Sequence, residues 1–246
     1  MKSKVYSWNS ANEMPSDALH IVITGASRGI GAAISRVLAQ DHFVSLVGRD
    51  KEALETVATD LPAAHYRIVC CDITSRGSVQ QLLTQLDRVD IFINNAGIAE
   101  FGDASTLPYE SAERQIRTNM LGPIEIITAL IGPMCERKEG MILSVNSVAA
   151  TTVFSGTSAY SASKAGMLAY TRSMRQDVRS HGVKVVDVIV GATDTEIWSD
   201  SSRAEHSHRM LSAGHVAQVV KGIVDTYHDK HSMIEEIIIR PQLGDL

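Results

Sequence analysis

Short apolar runs trade places with longer amphipathic ones along most of the chain: LHIVIT, IGAAISRVLAQ, HFVSLVG, KEALETVATDL, HYRIVCC, VQQLLTQL, VDIFINNAG. The short runs, rich in Val and Ile, read as strands buried on both faces. The intervening pieces, apolar on one side only, read as helices. The alternation continues through a helical stretch over 111–132, GMILSVNS, SAYSASKAGMLAYTRSMRQDV, VKVVDVIVG, a helix from Ala213 to about Tyr227, and a final strand IEEIIIR. Strands alternating with helices predict a single doubly wound α/β domain with a parallel sheet and helices on both faces. It spans 19–246 after a polar extension over 1–18. Pro123 falls inside a helical pattern and predicts a kink or break. After Gly191 the periodicity fails, and the polar segment 193–212 reads either as a lid over the strand ends or as an ordinary surface connection.

Composition narrows the function. A 246-residue chain with 44% hydrophobic residues buries one substantial core. Its net charge of −5 and the lack of a Lys/Arg cluster give no footprint for nucleic acid. No apolar run reaches the roughly 20 residues of a membrane span. Cys70, Cys71 and Cys135 have neither metal-ligand spacing nor the pattern of a disulfide framework, so a reducing cytoplasm is expected. His206 and His208 are two apart and share no helix face, and His228 and His231 have no carboxylate or cysteine set nearby, so no metal site is expected.

Thr24-Gly25-Ala26-Ser27-Arg28-Gly29-Ile30-Gly31 follows the first strand and opens the first helix. Glycines there permit a tight turn and close approach of backbone to a pyrophosphate, with the helix N-terminus facing the negative charge. At the end of the second strand, where an acidic residue would bind the ribose hydroxyls of NAD, stand Gly48 and Arg49. Arg28 and Arg49 suit a 2′-phosphate, so NADP(H) is expected over NAD(H).

Tyr160 and Lys164 lie one helical turn apart on one face. A nearby ammonium favours the phenolate, which brings a hydroxyl of unperturbed pKa about 10 closer to neutrality and makes Tyr160 a candidate general acid and base. Ser147 closes GMILSVNS at a strand's C-terminal edge, where open α/β sheets bind ligands. A tyrosine and lysine at this spacing also arise by chance on many helices, and the glycine loop supplies the weight.

TGASRGIG, NNAG and YSASK, in this order, resemble the short-chain dehydrogenase/reductase family from Leu19 to the last strand. The resemblance implies a Rossmann-type domain with a seven-stranded parallel sheet. It implies that Gly25, Ser27, Arg28, Gly29, Ile30 and Gly31 lie along the cofactor phosphates, Asp72 with Ile73 at the adenine, and Asn95 with Ala96 and Gly97 near the adenosine ribose. Gly191, Thr193 and Thr195 would lie beside the nicotinamide. Asn119, Ser147, Tyr160 and Lys164 match the catalytic tetrad, with Tyr160 and Lys164 also contacting the cofactor. Val190-Gly191 replaces the family's usual Pro-Gly, Asn146 a common serine, and Ala150 a common glycine.

The implied activity is NADP(H)-dependent interconversion of a carbonyl and a secondary alcohol on a small molecule. Reduction of a 3-oxoacyl carrier protein is the alternative within the family, and a non-catalytic dinucleotide-sensing regulatory protein the alternative of another class. The pocket is expected between the loop after Ser147, the segment GIAEFG and residues 193–210. Phe101, Phe154, Trp198 and Met210 would supply apolar walls, and Arg203 and Arg209 are the candidates for an anionic tail. The resemblance also implies a homodimer or homotetramer.

Overall fold

Every residue of β1 (His20–Thr24) is buried, because the strand lies mid-sheet with helices on both faces. The protein is described from a computed structural model over residues 17–246. Most of the expected extension, residues 1–16, lies outside the described residues, and Ala18 is already buried. Among the described residues no helix is long and apolar enough to cross a membrane.

The main strands are β1, β2 (Phe43–Gly48), β3 (Tyr66–Cys70), β4 (Ile91–Asn94), β5 (Gly140–Ser147) and β6 (Val183–Val190). Two short strands follow, β7 (Thr193–Asp194) and β8 (Leu211–Ser212), and then β9 (Glu236–Ile239). The sheet is seven-stranded and parallel, ordered β3-β2-β1-β4-β5-β6-β9, as expected for the doubly wound arrangement. The winding reverses between β1 and β4, and that switch opens a crevice beyond their C-terminal ends. The final strand is shorter than the run IEEIIIR, starting at Glu236.

The helices are α1 (Gly29–Leu38), α2 (Lys51–Ala58), α3 (Arg76–Leu83), α4 (Tyr109–Ile116), α5 (Gly122–Arg137), α6 (Ser158–Val178), α7 (Asp200–His206) and α8 (Ala213–Val224). Side chains alternate across the sheet. Ile21 and Ile23 join Ile34, Leu38, Val216 and Val220 on one side, while Val22 joins Phe92, Ile126, Ile127 and Met167 on the other. Asp50, Ser75 and Ser212 cap α2, α3 and α8 through their side chains, but Arg28, preceding α1, makes no such bond.

Pro123 does not break its helix. It sits in the first turn of α5, where a missing N–H is tolerated, directly after a π-helical turn over Arg117–Leu121. Gly122 N–H bonds the carbonyl of Arg117, five residues back, and the chain continues from α4 into α5 with the adjustment centred on Asn119. Gly122 is required here: a Cβ would lie 2.3 Å from the carbonyl oxygen of Ile73.

Helix α6, which carries Tyr160 and Lys164, is pinned to β6 by a buried ion pair. Arg175 Nη2 donates to Asp187 Oδ2 (2.9 Å) and to Glu235 O (2.8 Å), and its Nε donates to Val185 O (2.9 Å). Thr171 Oγ1 donates to the same carboxylate at 2.8 Å. Burial pushes the Asp187 carboxyl up to about 6 against the pull of Thr171 and Arg175. Removing one partner of such a pair costs about 3–5 kcal/mol.

Candidate active site

The glycine loop is tight because three backbone elements meet there. Gly25 has φ +66°, and a Cβ on it would lie 2.8 Å from Ala96 Cα; a Cβ on Gly31 would lie 2.2 Å from Gly25 O. Asn95 holds the turn, its Nδ2 donating to Thr24 O (2.9 Å) and Gly25 O (3.2 Å), while its own N–H reaches Thr24 Oγ1 (3.1 Å). Asn95 thus builds the loop as well as lining the crevice, and Thr24 is a supporting residue that the sequence reading missed.

Over this loop lies a cleft of about 290 Å³ whose walls include Gly25, Ser27, Arg28, Gly29, Ile30, Arg49, Asp72, Ile73 and the 95–97 turn. All the predicted cofactor residues of the first half of the chain except Gly31 are thereby brought together, and Gly31 supports from beneath. The cleft suits a dinucleotide: close backbone walls that a Cβ would obstruct, a helix N-terminus without a side-chain cap, and two exposed arginines. Asp72 closes a local turn, accepting from Thr74 N–H (2.9 Å) and Thr74 Oγ1 (2.8 Å). The Thr74 amide holds its carboxyl below the usual range, with Arg49 acting in the same direction.

A second cavity, of about 430 Å³, adjoins the first and shares Ile30, Asn95, Gly97, Thr195 and Ile197 with it. Ser147, Tyr160 and Lys164 lie on its wall, as do Gly191, Thr193, Phe101, Phe154 and Trp198. The Phe101 ring stands edge-on to Tyr160 with centroids 6.0 Å apart, and 5.4 Å from Trp198. Within the 193–212 segment β7 and β8 pair in a parallel ladder flanking α7, and Thr193, Trp198 and Ser202 line the cavity. Met210 is a correction, since it precedes β8 and does not line the cavity. The arginines proposed for an anionic tail are committed elsewhere: Arg203 pairs with Asp194 at 2.7 Å, and Arg209 Nη2 donates to Asp245 O at 3.2 Å. Asp245, Leu246 and His206 also line this cavity and had no local sequence signal.

Ser147 Oγ accepts from Ala149 N–H (3.1 Å), which leaves its hydroxyl proton to be donated. Lys164 Nζ donates to Val145 O (3.1 Å) and lies 5.9 Å from the Tyr160 ring centroid. Burial brings the lysine down to about 8. Tyr160 departs from expectation: burial pushes its phenol above the ordinary value, opposed by a hydrogen bond from Ser147. Desolvation penalises the charged phenolate, and here it outweighs the Ser147 hydrogen bond.

Asn119, 1% exposed, lies behind the wall. Its Nδ2 donates to Ile98 O (2.8 Å) and Ser163 Oγ (2.9 Å), and its Oδ1 accepts from Ile98 N–H (2.9 Å). Ser163 Oγ in turn donates to Tyr160 O at 2.7 Å. The asparagine, within the π-helical turn, thereby ties the 97–98 turn to the tyrosine helix.

A doubly wound sheet with a phosphate-suited glycine loop at the switch point defines a dinucleotide-binding oxidoreductase class. The model of the short chain dehydrogenase family matches residues 19–206, and the chain belongs to that family. It is 30% identical over 240 residues to the sepiapterin reductase of Chlorobaculum tepidum, covering 92% of this chain and 97% of that protein. Among solved structures it resembles a closed form of serine dehydrogenase complexed with NADP+ (TM-score 0.83, 27% identity, 90% of this chain and 94% of that one). It also resembles a metagenomic short-chain oxidoreductase in complex with NADP (TM-score 0.77, 29% identity, 92% and 98% covered).

Proposed function

We propose that the protein is an NADP(H)-dependent reductase of a small carbonyl compound, with Tyr160 as the general acid. The observation that carries this is the adjacency of the two spaces: Ser147, Tyr160 and Lys164 face a largely apolar cavity that shares its walls with the dinucleotide cleft. Reduced nicotinamide, when bound, supplies the hydride. Ser147 donates a hydrogen bond to the carbonyl oxygen and orients it. Tyr160, kept as a neutral phenol by burial, gives its proton to that oxygen as the carbonyl carbon becomes a secondary alcohol carbon. Lys164, charged at neutral pH, stabilises the phenolate left behind until a solvent proton restores it. Asn119 is a positioning residue that holds the turn at Ile98. Arg28 and Arg49, with Gly48 and Arg49 standing at the end of β2 where an acidic residue would bind the ribose of NAD, support NADP(H) over NAD(H), as do the relatives solved with NADP.

Tyr160→Phe should retain NADPH binding, read by fluorescence titration, while turnover on an accepted carbonyl falls at least about a hundredfold. A variant with a near-normal rate would refute the assignment. Tight cofactor binding with no turnover by the wild type across a broad carbonyl and alcohol panel would favour a dinucleotide sensor instead.

A further inference from the structure

We propose that Glu196 sets how tightly the cofactor is held: its carboxylate stands at the glycine loop, opposes the pyrophosphate of a bound dinucleotide, and hastens release of the spent cofactor. The proposal rests on reading the cleft over that loop as the dinucleotide site, and is indifferent to which nicotinamide dinucleotide enters. Among the described residues two carboxylates line the cleft, Asp72 and Glu196. Asp72 is tied into its own turn by Thr74, whereas Glu196 arrives from the far half of the chain, directly after Thr195.

Gly29 makes the close approach possible. It has φ +54°, a conformation that favours glycine, and a Cβ there would lie 3.1 Å from Thr195 Cγ2 and 3.6 Å from Glu196 Oε2. Gly29 opens α1, whose first turn holds no acidic residue and whose preceding residue, Arg28, gives no side-chain cap. The Glu196 oxygen therefore lies beside the turn whose N–H groups would receive a pyrophosphate. Glu196 is exposed, and among the described residues it makes no ion pair; Arg203, the α7 cation that senses its charge, is bonded to Asp194 at 2.7 Å.

A carboxylate and a pyrophosphate compete for one positive field, that of the helix N-terminus with Arg28 beside it. Unit charges a few ångströms apart at an exposed surface repel enough to weaken binding about three- to tenfold, and salt screens the effect. An exposed side chain swings aside as the cofactor enters, so the repulsion burdens the complex without blocking entry. It acts mainly on dissociation, because an approaching dinucleotide is screened from the carboxylate until it is seated, while Arg28 and Arg49 draw it in. Where release of oxidised cofactor limits turnover, such a residue lowers affinity and raises the rate.

The test uses the full chain with NADPH, NADH and adenosine 2′-monophosphate, which lacks the pyrophosphate. Glu196→Gln keeps the shape and removes the charge. By fluorescence titration it should tighten both reduced dinucleotides about three- to tenfold at low salt, and a stopped-flow chase should show NADPH leaving more slowly by a similar factor. Binding of adenosine 2′-monophosphate, read by competition, should stay within about twofold of wild type, and the wild-type-to-variant ratio for NADPH should fall toward one in about 0.5 M NaCl. Glu196→Ala should behave as Glu196→Gln does. Glu205→Gln, which removes an exposed charge from α7 away from the cleft, should change none of these values. Dinucleotide binding that neither Glu196 variant tightens overturns the proposal and leaves the cofactor cleft standing. Equal tightening of adenosine 2′-monophosphate, or a ratio indifferent to salt, overturns it too. A wild type and variants that bind neither dinucleotide sink the cleft reading and this proposal together.

Discussion

Replacing Asn119 with alanine tests whether this residue works as a clamp. The side chain makes two bonds to the Ile98 backbone (2.8 and 2.9 Å) and one to Ser163 Oγ (2.9 Å), and it is 1% exposed. Each such bond contributes about 0.5–1.5 kcal/mol net, and polar partners left unpaired out of water add to the loss, so Asn119→Ala should cost roughly 3 kcal/mol. For a chain of this size that corresponds to a fall in Tm of roughly 6–12 °C, read by circular dichroism. Ser163→Ala removes one bond of the three together with the Ser163 bond to Tyr160 O, and should cost less than Asn119→Ala. NADPH affinity should weaken as well, because Gly97 and Ile98 wall the cofactor cleft. Asn119→Asp adds a sign test: the carboxylate keeps the acceptor for Ile98 N–H but faces Ile98 O, so the variant should be less destabilised at pH 5, where protonation restores a donor, than at pH 8. An Asn119→Ala protein melting within about 2 °C of wild type would refute the clamp.

Replacing Arg28 or Arg49 with alanine should weaken NADP(H) by about tenfold or more while leaving NAD(H) much less affected, measured by fluorescence titration; equal weakening would show that neither meets a 2′-phosphate. His20, 2% exposed, is brought down to about 4 from 6.5, chiefly by burial and then by the charge of Arg67. Between those pH values the unfolded chain binds a proton the native chain refuses, so the contribution of His20 is complete above 6.5 and falls away toward 4, by about 3 kcal/mol. Asp187, pushed up to about 6, acts in the opposite sense over part of that window, so the quantity to measure is the urea-unfolding free energy of wild type minus that of His20→Gln. The difference should shrink between pH 7 and 4.5, and a constant difference would refute the reasoning. The protein is also expected to sediment as a homodimer or homotetramer; a single 26.7 kDa species at micromolar concentration would exclude both.

The periodicity of apolar residues determined the parallel, doubly wound sheet, because strands covered on both faces are predominantly apolar, and β1, β2 and β5 are buried at nearly every position. The glycine loop and the Tyr160–Lys164 spacing were equally legible, since close backbone approach needs Gly25 and Gly31 themselves and a helical turn needs only the local chain. Pro123 misled because a missing N–H was read without the π-helical turn before it, a feature that long-range packing of Gly122 against Ile73 makes favourable. The phenol of Tyr160 moved opposite to expectation because desolvation depends on everything packed around a group, which a sequence does not contain. Asn119 as a clamp and Asn95 as a brace for the loop depend on partners at least twenty residues away in the chain. Local sequence therefore specified the scaffold and the candidate reacting groups, whereas pairing and burial arose only where distant segments meet.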